Sequence, residues 1–390
     1  MSQLAERFEL GQAELNRLLP MEGLRGIAVL LVFFVHYGTL VDPYLSGLAL
    51  PIAVSLRIVG NAGVDLFFVL SGYLIYGTLI RRPQPFLRFM GRRVQRLYPA
   101  FLVVFAIYVL LSFVLPSDSK LPNGLWSGLV YAGANVLMLP GIFPVQPMIA
   151  VAWSLSYEMF FYLTVPLLIG LLWLRSWDRW ARVTVFLLAI IAAQAFQLPY
   201  PRMGMFGCGM ILAEVLPVLK NRFAGGSAPK LAGLALLFLN LLGLAAIPAC
   251  GFVLLQKLPV SMRFTTIFFA CFLLCAAGFV HHGPVAKILI TRPLRWVGNM
   301  SYSYYLVHGL VLKIVFFFVA SLQVGHWLGS LAFWVLLPPA FLCTLIGSAV
   351  LFLLVERPFS ILPPGRLQKL PAMDRVAPLG SPLNSGISLS

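Results

Sequence analysis

Charge is the scarcest ingredient of this sequence. Only 10% of its 390 residues are Asp, Glu, Lys or Arg, against 60% hydrophobic, whereas a soluble domain carries about 25% charged residues. No polar stretch is long enough for a separate soluble catalytic domain. Cysteine is sparse too: Cys208, Cys250, Cys271, Cys275 and Cys343 lie in or beside apolar runs. None forms a C-x-x-C pair, which argues against disulfides and a zinc site, and the five read as free, buried and structural. Histidine-box spacings for a diiron or zinc centre are missing, as is a G-x-S-x-G elbow, so no metal is expected. Acidic residues number 12 against 28 Lys and Arg, for a net charge of +16. In a soluble chain that excess would suggest nucleic acid. Here no nucleic-acid partner is expected, because cytoplasmic loops of membrane proteins concentrate Lys and Arg.

What the sequence has is apolar length. Candidate spans are 22–40, 61–80, 98–116, 153–174, 182–198, 203–220, 231–250, 263–280, 301–320 and 331–355, each near the ~20 residues a crossing requires. The expected fold is all-α, a polytopic membrane bundle of about ten transmembrane helices. Residues 1–20 form an N-terminal segment too mixed in charge to be a secretory signal, and the run after them lacks a cleavage site. Residues 21–358 form the membrane domain, and 359–390 a tail rich in Pro, Ser and Gly that is expected to be disordered. With both termini cytoplasmic, about 22 Lys and Arg fall inside and about five outside, namely Arg57, Lys120, Arg202, Lys257 and Arg263. The stretch 117–152 is short and broken by Gly and Pro, and reads as a re-entrant or interfacial segment.

Ionisable residues inside the apolar runs are few, and their placement is informative. In "EGLRGIAVLLVFFVHYG", Arg25 and His36 are eleven residues apart, about three helical turns, so they share a face about 16 Å apart. In "NAGVDLFFVLSGYLI", Asp65 enters its helix from the outer side. In "WSLSYEMFFYLTVP", Glu158 does the same, with Ser154 and Tyr162 four residues to either side. His36, Asp65 and Glu158 thus reach similar depth from three helices. A carboxylate in hydrocarbon is costly unless paired or hydrated, so such groups turn inward. A histidine held by a carboxylate is a general base of fixed tautomer. "RRVQRLYP" places Arg92, Arg93 and Arg96 at a cytoplasmic helix mouth, where with Arg25 they suit a polyanion. In "GNMSYSYYLVHGL", His308 shares a face with Ser301, Tyr304 and Tyr305.

Each feature also has a structural reading. His36 can bond a neighbouring helix, and Asp65 and Glu158 can hold helices together. The arginines can serve only the inside-positive bias, and His308 can be part of an aromatic packing face. His281, His282 and His326 read as loop residues, and Glu214, near Lys220, as facing the cytoplasmic interface.

Taken together, the Arg25-x10-His36 spacing, "GVDLFFVLSGYLI", "RRVQRLYP", "WSLSYEMFFY" and "SYSYYLVH" resemble the acyltransferase family 3 integral-membrane O-acyltransferases, in family order and over roughly residues 20 to 358. The resemblance implies transfer of an acyl group, most often acetyl, from cytoplasmic acyl-CoA to a hydroxyl of an extracytoplasmic carbohydrate or glycolipid, in a bacterial inner membrane. By position it implies that His36 is the essential histidine and Arg25 the basic residue preceding it. Arg93 and Arg96 match the pair associated with acyl-CoA, and Glu158 the glutamate of the tryptophan–serine motif that begins at Trp153. Some members carry a periplasmic SGNH esterase-like domain after the bundle. Only a short tail follows Pro358 here, so the reaction is expected to finish in the membrane domain or be passed on.

The expected mechanism docks CoA phosphates on Arg25, Arg93 and Arg96, with Arg92 beside them, and runs the pantetheine arm toward His36. Glu158 or Asp65 orients His36, which acts as general base or as acyl relay. Ser71, Tyr73 and Tyr305 are candidate oxyanion donors. Trp153, Ser154 and His308 line the expected channel. The rival is a proton-coupled transporter or flippase of a glycan or lipid, since intramembrane His, Asp and Glu also serve proton relays. Against it stand the absence of paired repeats and the unexplained arginine cluster.

Overall fold

The computed structural model describes residues 7–9, 19–116, 119–224, 238–243, 245, 259–280 and 283–361. No strand occurs among them; the chain is a helical bundle. Eight helices among the described residues are long and apolar enough to cross a membrane. Their outward faces carry large apolar side chains such as Phe113, Phe269 and Phe317. Such a surface suits lipid, while the backbone polar groups are satisfied within each helix.

Helix α1 (Leu19–Val41) is the centre of the bundle. Pro20 lies in its first turn, where a missing N–H breaks no helical bond. The chain returns through α2 (Ala49–Gly60) and α3 (Ala62–Arg81). Asn61 between them keeps right-handed helical angles, so 49–81 is a single 33-residue run. The expected span began only at residue 61. The helix starts twelve residues earlier, and the one charge of the added stretch, Arg57, is met by Asp42 at 3.2 Å. Helix α4 (Phe86–Val114) carries the arginine triplet within its own first turns.

The broken stretch before residue 153 holds α5 (Leu125–Val136), only 12 residues long, and then irregular backbone that dips into the bundle. Met148, Ile149, Val151 and Ala152 are buried there. Asn135 Oδ1 accepts from Met148 N at 2.7 Å, and Lys120 Nζ donates to the carbonyls of Pro147 and Met148 at 2.9 and 3.3 Å. Irregular backbone is tolerated at such depth only when shielded and bonded in this way. Burial, then repulsion from Lys313, lowers the Lys120 pKa.

Beyond it come α6 (Trp153–Leu171), α7 (Arg179–Ala195), α8 (Gly204–Ala224) and α9 (Val260–Phe279). Two short helices, α10 (Pro284–Leu289) and α11 (Arg292–Asn299), pack across the start of α1. A Cβ at Gly298 would lie 1.7 Å from the Glu22 carbonyl oxygen, so only glycine admits this crossing. Arg295 Nε then reaches Glu22 Oε2 at 2.8 Å. Helix α12 (Ser301–Ser321) and α13 (Ala332–Leu351) complete the bundle, and α13 runs on as a π-helical segment, Phe352–Ser360.

Three expectations need adjustment. Helix α7 runs from Arg179 to Ala195, three residues earlier at each end than the expected span, with Asp178 capping it by accepting from Trp180 N. Glu214 does not face outward but is 5% exposed: Arg182 takes both of its oxygens, at 2.7 and 3.0 Å, and Tyr76 Oη donates at 2.5 Å. Cys343 is exposed on the outside of α13, whereas Cys208, Cys271 and Cys275 are buried as expected. The tail from residue 362, His281, His282, Cys250 and most of the candidate span 231–250 lie outside the described residues.

Candidate active site

A cavity of about 890 Å³, counting its open mouth, lies among α1, α3, α4, α6 and α12. Three guanidinium groups line it: Arg25 from α1, and Arg93 and Arg96 from α4. Residues 93 and 96 are three apart on one helix and therefore share a face. Arg92 is exposed and outside the cavity wall.

The three arginines are held differently. Arg96 Nη1 pairs with Glu356 Oε1 at 2.9 Å and lies over the Tyr302 ring. Glu356 is fully buried, and its Oε2 accepts from Ser303 N at 3.0 Å and Ser303 Oγ at 2.5 Å. Arg93 lies over the rings of Phe89 and Tyr162, at 5.3 and 5.6 Å, and its Nε is buried without a hydrogen bond. Arg25 makes no hydrogen bond or ion pair among the described residues. Glu158 Oε1 accepts from Ser71 Oγ at 2.8 Å and from Tyr162 Oη through a short contact. Three cations thus face two carboxylates, with donor capacity left on Arg25 and Arg93. A ligand with several acidic oxygens suits that balance.

At its inner end the cavity becomes apolar. Val64, Phe67, Phe68 and Leu155 gather around Tyr305, whose ring meets Phe67 edge-on at 6.1 Å. Tyr305 Oη is 2.7 Å from Ser154 Oγ and donates to Val151 O at 3.2 Å. Behind Tyr305 stands His308, 6.0 Å between ring centroids, and behind His308 stands His36, 4.9 Å further. His36 is therefore two ring contacts beyond the cavity wall. The expected open passage from the arginines to His36 is interrupted by packed side chains, chiefly Phe67 and Tyr305.

Nor does a carboxylate reach His36. Asp65, 1% exposed, faces Arg202 Nε at 3.6 Å, and Arg202 lies over the Trp153 ring at 5.3 Å. Tyr73 stacks on Phe279 at 4.8 Å, turned from the cavity. The structure thus brings together Arg25, Arg93, Arg96, Glu158, Ser71, Ser154 and Tyr305, and groups Asp65 with Trp153. It sets Arg92 and Tyr73 apart, and pairs His36 with His308. The sequence reading passed over Glu356. Its signal was an acid in "LFLLVERP", at the end of an otherwise uncharged run.

A family model described as an acyltransferase domain matches residues 20–353. Similar proteins include O-acetyltransferase OatA of Staphylococcus aureus, 29% identical over 333 residues, which are 77% of this chain and 51% of OatA. Exopolysaccharide production protein ExoZ of Rhizobium meliloti is 28% identical over 332 residues, covering 80% of this chain and 93% of ExoZ. Acyltransferase MdmB of Streptomyces mycarofaciens is 34% identical over 159 residues, 39% of each chain. The chain therefore spans about half the length of OatA. No solved structure matches it.

Proposed function

The chain belongs to acyltransferase family 3, and from that premise we propose that it is a membrane O-acyltransferase. Its donor is acyl-CoA, with acetyl the expected acyl group, and its acceptor is a hydroxyl of a carbohydrate or glycolipid. One relative is named an O-acetyltransferase and another an exopolysaccharide production protein, which supports that acceptor class. The basic end faces the cytoplasm of a bacterial inner membrane, on the inside-positive bias of its loops.

The observation that carries this reading is the surplus of guanidinium donors in a cavity sunk into an apolar bundle. Phosphates of the donor bind Arg25 and Arg93 through charge-assisted hydrogen bonds. Arg96, tied to Glu356, forms the fixed wall. Glu158 and Ser71 meet the amides of the pantetheine arm, and the acyl end lies against Phe67 and Tyr305. Displacement of Tyr305 and Phe67 then brings the thioester to His36. His36 takes the proton of the acceptor hydroxyl as its oxygen attacks the thioester carbonyl, and the CoA thiolate leaves. Alternatively His36 itself carries the acyl group between donor and acceptor. Ser71 and Tyr305 supply oxyanion donors.

Membranes containing the chain are to be assayed for transfer from labelled acetyl-CoA. His36→Ala at normal protein level is expected to lose transfer by about 10²- to 10⁴-fold. A trapped acyl-enzyme without acceptor selects the relay. Wild-type membranes that neither hydrolyse nor transfer from acyl-CoA would favour the transporter reading instead.

A further inference from the structure

His308 is fully buried, yet one of its ring nitrogens has no bond. Its Nδ1 lies 2.8 Å from the carbonyl oxygen of Tyr304, one turn back on α12. A carbonyl only accepts, so Nδ1 carries the hydrogen and the ring is the tautomer with a bare Nε2. That Nε2 is buried and makes no hydrogen bond. The ring cannot easily turn away. Tyr304 stacks on it at 5.3 Å with planes 10° apart, and Tyr304 Oη is itself held by Thr344 Oγ1 at 2.9 Å. On its remaining side lies His36, edge to face at 4.9 Å. The titratable groups that touch His308 are Tyr304 and Tyr305 from its own helix and His36 from α1.

A general base needs its tautomer and ring orientation fixed, and a carboxylate commonly does this. Here the nearby carboxylates are engaged elsewhere, Asp65 with Arg202 and Glu158 with Ser71 and Tyr162. We infer that His308 is the positioning residue for His36: its bare Nε2 accepts the N–H of His36, so that the other nitrogen of His36 is the one presented to the acceptor hydroxyl. The inference rests on His36 being the base. Forming that bond requires the His36 ring to turn out of the edge-to-face contact so that its N–H points at Nε2. A neutral partner has a chemical consequence. When His36 takes a proton, no fixed negative charge traps it, and the imidazolium returns the proton readily.

Two substitutions in the full chain test this. His308→Gln keeps an acceptor near the position of Nε2, whereas His308→Phe keeps a flat ring of similar bulk and cannot accept. With transfer from labelled acetyl-CoA as readout, Phe is expected to lower kcat by at least about tenfold with an unchanged donor KM, and Gln to recover part of that loss. The limb of the pH–rate profile that reports His36 should move in the Phe variant. Independently of activity, ¹⁵N spectra of histidine-labelled protein in nanodiscs report the tautomer of His36, assigned by difference from His36→Ala. A single tautomer in the wild type that becomes a mixture in His308→Phe supports the pairing. Equal loss in Phe and Gln, or a His36 signal that His308→Phe leaves unmoved, overturns it. Absence of transfer by the wild type would instead count against the proposed activity, while the spectra still decide the pairing.

Discussion

Two places in this bundle bury a glutamate among arginines, and they differ in balance. Around Glu214 the carboxylate itself is fully engaged, while Arg179 Nε, 3.7 Å from its Oε2, is buried without a hydrogen bond. Arg182 grips both carboxylate oxygens, Tyr76 adds a third bond, and the remaining Arg182 nitrogen donates to the carbonyls of Leu174 and Trp177. In the cavity, Glu158 and Glu356 leave Arg25 and Arg93 with unspent donors. Burial and charge alone therefore do not mark function. Both oxygens gripped by one guanidinium mark a structural lock, and open space beside unbonded guanidinium groups marks a place made for something else.

The largest expected effect breaks the lock. Arg182→Ala leaves Glu214 buried without its main partner and should cost about 3–5 kcal/mol of stability, read as a lower unfolding midpoint in detergent. The protein that stays folded should keep its donor KM. Next, Arg93→Ala removes a surplus donor. It should raise the donor KM by about 10- to 100-fold, the value of one or two bonds to a charged group, with a nearly unchanged midpoint. The comparison fails if these two variants behave alike. Third, Phe67→Ala lengthens the apolar end of the cavity. Each added methylene on the acyl chain should gain up to about 0.8 kcal/mol, roughly fourfold in kcat/KM relative to wild type, in an acyl-CoA chain-length series. Smallest is Arg92→Ala, whose side chain is exposed. It should change stability and donor KM by no more than about 0.5 kcal/mol, and a larger KM effect would mean that the basic patch extends past the cavity.

How much of this could be read beforehand depends on the range of the contact. Residues one helix turn apart were legible: Arg93 with Arg96, and Ser154 with Glu158 and Tyr162, all face the cavity as their spacing implies. Contacts across the bundle were not. Nothing in "NAGVD" announces that Asp65 will meet Arg202, and nothing in "SYSYYLVH" announces that Ser303 will hold Glu356. His36 shows the limit most clearly. Periodicity places it on the same face as Arg25, but a shared face says nothing about the rings of Phe67 and Tyr305 that come between from two other helices. The fold was more legible because apolar length is a local property. Where it misled, as at 49–60, a charged residue, Arg57, sits within the helix and is met across a loop by Asp42.

The wall made by Phe67, Tyr305 and Ser154 has a consequence for the cell as a whole. In the bacterial inner membrane proposed for this bundle, energy is stored as a proton gradient, and a standing water column from face to face would discharge it. A seal of rings and paired hydroxyls insulates while a bulky donor is loaded from one side. If the acyl group crosses here as proposed, each passage is a brief opening plugged by its own cargo, and transfer and electrical tightness are kept by the same three side chains.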